Sequence, residues 1–117
     1  MVPPAQQTEQ RVKEIRHAEA EAAATALGAS FRAFDLGDYP LVLDAAAVDR
    51  LTELIRELEP QVILTHAALD PFNPDHGVAH DATVQARQLA SGAGVASAFK
   101  TIAPPELLLF EPHQPEL

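Results

Sequence analysis

Two short apolar runs, QVILT at 61–65 and ELLLF at 106–110, constrain this chain more than anything else in it. A continuous apolar run of this length is short for a helix and suits a strand covered on both faces. Strands of that kind lie in parallel sheets, where neighbours are joined by crossovers long enough to hold a helix. The sequence before each run has helical spacing, so the two runs predict a layered arrangement of helices on a sheet.

Thr8 can accept from the free N–H groups of a first helical turn. Val12, Ile15, Ala22 or Ala23, and Ala26 follow at helical intervals. The residues before Thr8, rich in Pro and Gln, are expected to be loose. Gly28 sits where a left-handed C-cap belongs. SFRAFDLG, 30–37, alternates and predicts a strand ending near Leu36. Asp44 is placed to cap a second helix with Val48, Leu51, Leu54, Ile55 and Leu58 on one face, ended at Pro60. A third helix is expected from Gly77 to Ala90, broken by SGAG at 91–94.

The order helix, strand, helix, strand, helix, strand defines an α/β protein with a parallel sheet and flanking helices. In such sheets ligands bind beyond the carboxyl ends of the strands. DLGDYP at 35–40, THAALDPFNPDH at 65–76 and FEPHQPE at 110–116 fall there, and they concentrate the His, Asp, Glu and Asn residues. There is no internal repeat and no sign of a second domain. A helix opens the chain where this architecture usually opens on a strand, and a strand comes almost last. The reading is one α/β domain over 1–117, truncated at both ends.

The net charge of −9, from 17 acidic and 8 basic residues, repels phosphate backbones and anionic lipid surfaces. Nucleic acid and membranes are therefore disfavoured as partners. Cysteine is absent, so neither disulfides nor thiolate metal sites are available. The N-terminus lacks the basic and apolar regions of a signal peptide, and no apolar run reaches membrane-spanning length. A cytoplasmic protein is expected.

His66 at a strand end and His76 near a helix start, with Asp70 and Asp75 around them, are ligand types that suit zinc or a similar ion. The same residues also make an ordinary polar loop, with Asp75 capping the third helix and Asp70-Pro71 forming a turn. His76 and His80 are four apart and share a helix face, which allows a metal pair, but a solvent-exposed His80 is favoured. Glu111 and His113 lie at another strand end beside prolines, and Asp38 and Tyr39 at a third. Each is a substrate contact or a plain exit loop. The sequence has no Gly-rich phosphate loop and no Ser nucleophile elbow.

EPQVILTHAALDPFNPDH, 59–76, resembles the second metal motif of the LmbE/PIG-L-like superfamily, and VKEIRHAEAEAAATALGA, 12–29, resembles its helix. DLGDYPL, DPFNPDH and LFEPHQPE together resemble the 4-oxalomesaconate hydratases of that superfamily. The resemblance runs from Val12 to Leu117. It implies a Rossmann-like α/β domain and a zinc-dependent hydratase of gallate and protocatechuate breakdown, acting on a small carboxylate substrate. His76 takes the zinc-ligand position of the family's His-Pro-Asp-His pattern. Asn73 takes the position of that pattern's first histidine, which serves catalysis in the deacetylases. Asn cannot shuttle a proton near neutral pH, so Asn73 fits the hydratase branch. Asp75 is expected to orient the metal shell, because a ligating His usually donates its second N–H to an acceptor. His66, His113 and Asp38 are expected to face substrate.

The family's first metal motif, a His-x-Asp-Asp run, is not in this chain. Catalytic zinc commonly takes about three protein ligands, so the chain is expected to be inactive alone and zinc to be a property of the complete enzyme. A zinc N-deacetylase of an amino-sugar conjugate is the alternative enzyme, and a non-catalytic remnant the alternative from another class. Association into homo-oligomers is left open.

Overall fold

A computed structural model describes residues 4–34, 36 and 41–111. The chain forms two compact units, 1–35 and 36–117.

The first unit is one long helix, α1 (Pro4–Ala26), and the segment after it. Helix α1 starts four residues ahead of Thr8, so the expected loose start and the Thr8 cap are both corrected. A proline is tolerated in the first turn because the N–H it lacks would have no partner there. At the other end Gly28 adopts φ 71°, with its N–H donating to Thr25 O and the Ala29 N–H to Ala24 O at 2.8 Å. These two bonds are a Schellman motif, which needs the left-handed residue that glycine supplies. Phe31 meets the His17 ring edge-on at 5.1 Å.

Among the described residues of the segment expected as a strand, 30–34 and 36, no strand forms, and residues 29–34 have no regular structure. Alternation offers two faces, but a strand exists only when a neighbour takes up its N–H and C=O groups.

The second unit carries α2 (Ala45–Leu58), β1 (Val62–His66), α3 (Pro74–Ser91) and β2 (Glu106–Phe110). Asp44 caps α2, accepting from the Ala47 N–H at 2.9 Å. Glu59 closes the helix in the left-handed region, φ 46°, donating its N–H to Ile55 O at 3.0 Å. Asp44→Ala should cost about 1 kcal/mol, the usual worth of an acidic N-cap. A fall in the urea midpoint at unchanged slope would register it.

β1 and β2 pair in parallel with α3 as the crossover, in register from Val62 opposite Glu106 to His66 opposite Phe110. The Glu106 N–H donates to Gln61 O at one end and the Ala67 N–H to Phe110 O at the other. The fold is α/β with a parallel sheet of two strands, not the three expected, among the described residues.

The core lies between α2 and α3 and under one sheet face. Val48 and Ile55 pack on Ala82, Ala86 and Ala90, with Leu51, Ile63 and Leu89 against them. Alanine at every fourth position of α3 brings the helices close, and Ala86 and Ala90 are fully buried. Thr52, also fully buried, returns its hydroxyl to Val48 O at 2.8 Å. On the sheet's other face Val62, Leu64, Leu108 and Phe110 stay roughly half exposed. The apolar runs are therefore covered on one side only, which corrects the expectation of strands buried on both faces.

Candidate functional site

The loop from β1 to α3 is built by Asp70. Its Oδ1 accepts from the N–H groups of Phe72, at 2.9 Å, and Asn73, at 3.2 Å. Proline at 71 favours the turn because its φ is already set. Asn73 then caps α3, its Oδ1 accepting from the Asp75 N–H at 3.1 Å, with Pro74 in the first helical position. The third helix thus begins at Pro74, three residues earlier than Gly77, and its cap is Asn73 instead of Asp75.

His76 lies in the first turn of α3, with both ring nitrogens engaged. Nδ1 is 2.8 Å from Asp70 Oδ2, and Nε2 is 3.1 Å from Asn73 Nδ2. The expectation for Asp75 is corrected here. Its Oδ1 accepts from the Leu41 N–H at 2.9 Å and ties the segment before α2 to the head of α3. The carboxylate on the His76 ring is that of Asp70, because the tight turn folds it back over the helix start.

His66 at the end of β1 stacks on His76, ring centroids 3.8 Å apart and planes 3° apart, with Phe110 edge-on at 5.7 Å. His80 is half-buried and its Nδ1–H donates to His66 O at 2.8 Å. That bond directs His80 Nδ1 to the strand backbone, so the ring is half-buried and not solvent-exposed. Sequence reasoning placed His66, Asn73, Asp75 and His76 in one region, and the structure brings all but the Asp75 carboxylate onto one cluster. It missed Asp70 as the residue on His76, although the Asp-Pro-x-Asn turn pattern was visible. Asp38 and His113 lie outside the described residues.

The hydrogen bond from His76, with those from the Phe72 and Asn73 N–H groups, holds the Asp70 carboxyl below the ordinary aspartate value. Burial, then the neighbouring His76, lowers the His66 imidazole, and Asp70 offsets part of this. Both shifts leave the folded state binding fewer protons than the unfolded chain at acid pH. Stability from His66 is complete above 6.5 and falls as pH drops through its lowered pKa. The Asp70 contribution is complete above 3.8 and is lost through a lower window. Acid unfolding at stepped pH should show two declines, and His66→Gln should remove the upper one.

Zinc was expected at His76. A ligating imidazole usually has its other nitrogen on a carboxylate, and the Asp70–His76 pair has that arrangement. Among the described residues no group of three His, Cys, Asp or Glu converges on a metal position. They therefore fit one ligand of a catalytic zinc, not a complete site, and no chemical step is derived through a metal.

The histidine–carboxylate cluster lies at a strand end of a parallel α/β sheet, and sequence comparison gives the family. The chain belongs to the PIG-L family, described as GlcNAc-PI de-N-acetylase, whose pattern matches residues 2–87. It is 42% identical over 109 residues to a 4-oxalmesaconate hydratase of Pseudomonas putida, a match covering 93% of this chain and 42% of that protein. It is also 36% identical over 103 residues to a 1D-myo-inositol 2-acetamido-2-deoxy-alpha-D-glucopyranoside deacetylase of Thermomonospora curvata, covering 71% of this chain and 35% of that one. Among solved structures, GalB, the 4-carboxy-2-hydroxymuconate hydratase of Pseudomonas putida, superposes with a TM-score of 0.87 at 41% identity, covering 92% of this chain and 45% of GalB. The chain spans less than half the length of the relatives it matches. No helix among the described residues is long and apolar enough to cross a membrane.

Proposed function

We propose that this chain carries the His66–Asn73–His76 part of the active site of a hydratase that adds water across a carbon–carbon double bond of a small polycarboxylate, 4-oxalomesaconate being the leading substrate. The observation that carries the reading is Asn73. Its amide is fixed at both ends, by the Asp75 N–H on Oδ1 and by His76 on Nδ2. A side chain so held can orient a substrate oxygen but cannot carry a proton, as the histidine at that position of the deacetylase pattern would. The identity to the Pseudomonas putida hydratase over 93% of the chain supports the same branch.

In this reading His66, with its pKa lowered, is neutral at pH 7 and able to accept a proton. The N-terminal dipole of α3 favours a carboxylate despite the overall negative charge. Zinc belongs to the reading as the family's metal, with His76 as the ligand among the described residues.

The test is nuclear magnetic resonance titration of the purified chain with 4-oxalomesaconate and, separately, with the N-acetylglucosaminyl inositol of the deacetylases. Saturable shifts at His66, Asn73 and His76 with the first compound alone are expected. Shifts with the second alone, or with neither, overturn the hydratase reading. The second-compound result would move the chain to the deacetylase branch.

A further inference from the structure

The hydrogen bonds around His76 fix where its proton lies. We infer that Asp70 is a positioning residue, which accepts the Nδ1 proton of His76 and so locks the ring in the tautomer whose lone pair is on Nε2. The assignment concerns one proton and holds whichever substrate the site takes.

Three constraints point the same way. Asp70 Oδ1 already accepts two backbone N–H groups, and an aspartate is ionised near neutral pH, so its Oδ2 faces Nδ1 as an acceptor too. Nδ1 must then carry the proton. At the opposite side of the ring, Asn73 Oδ1 is committed to the Asp75 N–H, so the group facing Nε2 is the Asn73 NH₂, a donor. Nε2 must then be the acceptor. Turning the Asn73 amide over would set its NH₂ against the Asp75 N–H and remove the cap of α3. The proton order therefore runs in one direction, from the Asp75 N–H to Asn73 Oδ1, from Asn73 Nδ2–H to His76 Nε2, and from His76 Nδ1–H to Asp70.

His76 consequently presents a lone pair, not an N–H, on its Nε2 side. Any electrophile or acidic hydrogen there competes directly with the Asn73 amide, and its arrival frees that amide to donate elsewhere.

Asp70→Asn separates positioning from turn formation. The amide introduced by this substitution keeps an oxygen for the Phe72 and Asn73 N–H groups but turns an NH₂ towards Nδ1. Nitrogen-15 spectroscopy of the neutral His76 ring reads the tautomer directly. The wild type should show a protonated Nδ1, and the double variant D70N/N73S, in which the donor facing Nε2 is also removed, should invert to a protonated Nε2. Asn73→Ser, which keeps a capping oxygen but removes the donor to Nε2, should leave the wild-type tautomer in place. A wild-type ring protonated on Nε2 overturns the inference by itself, whether or not the variants fold. So does a D70N/N73S protein with the wild-type tautomer, or an N73S protein with the inverted one. Substrate titration plays no part in these readings, so failure of the hydratase proposal and failure of this one are distinguishable.

Discussion

Arg56→Ala is expected to lower the unfolding free energy by about 3–5 kcal/mol, more than any other single truncation in the second unit. Arg56 is buried in α2, and its guanidinium reaches across to the far end of α3. Nε donates to Ala90 O and Nη1 to Val95 O, both at 3.2 Å. Nη2 donates to Leu89 O at 3.2 Å and Gly92 O at 2.7 Å. The charge is compensated by carbonyls at a helix C-terminus, where the backbone dipole favours a cation. Alanine would remove this donor from all four carbonyls, of which Leu89 O and Ala90 O keep the Gly92 and Ile102 N–H groups, and would leave a void between the two helices. Arg56→Lys should recover less than half of the loss, because one compact ammonium cannot span four acceptors that a planar fork reaches. Denaturant midpoints of the three proteins check the order. Amide exchange at Gly92 and Val95 should rise first, since the carbonyls of both residues accept from this side chain. Retention of wild-type stability by the alanine variant would mean that the clamp contributes nothing net.

Gly77→Ala is expected to destabilise by about 1–2 kcal/mol, the opposite sign to the usual effect of filling a helical glycine. In an open helix the change gains about 1 kcal/mol. Here a Cβ on Gly77 would sit 2.9 Å from the backbone oxygen of Ala68. Backbone cannot swing aside as a side-chain tip can, so the loop after β1 must shift, at a cost of about 1–3 kcal/mol. That loop carries Asp70, so the same substitution should disturb the Asp70–His76 hydrogen bond and the His66–His76 stack. Thermal melts would give the sign, and His76 ring shifts would give the displacement. A more stable variant with unchanged ring shifts would show that the loop yields freely.

Local signals in the sequence carried through to the structure. Asp44 and Gly28 act at helix ends, where the chemistry is settled within about four residues, and both do what their types predict. The apolar runs at 61–65 and 106–110 are strands for a similar reason. Residues 30–34 form no strand because pairing depends on a neighbour that no local pattern supplies. The choice between Asp70 and Asp75 was also out of reach. Asp75 is adjacent to His76 in sequence, but adjacent residues on a helix point apart, whereas the turn at Pro71 returns Asp70 over the ring. Arg56 was missed because arginine is rarely buried. Its position in the stripe Val48, Thr52, Ile55, Arg56 marked it as inward-facing all the same.

The half-exposed sheet face of Val62, Leu64, Leu108 and Phe110 has a colloidal consequence. Molecules that each carry −9 repel one another over about 10 Å in 0.1 M salt, but only about 3 Å in 1 M. Attraction between apolar faces is not screened in this way, and excluded salts such as sulfate strengthen it. Charge therefore keeps dilute-buffer solutions dispersed while the sheet face waits at short range. Added salt removes the barrier and leaves the attraction, so light scattering should increase with ionic strength in a protein whose fold has not changed.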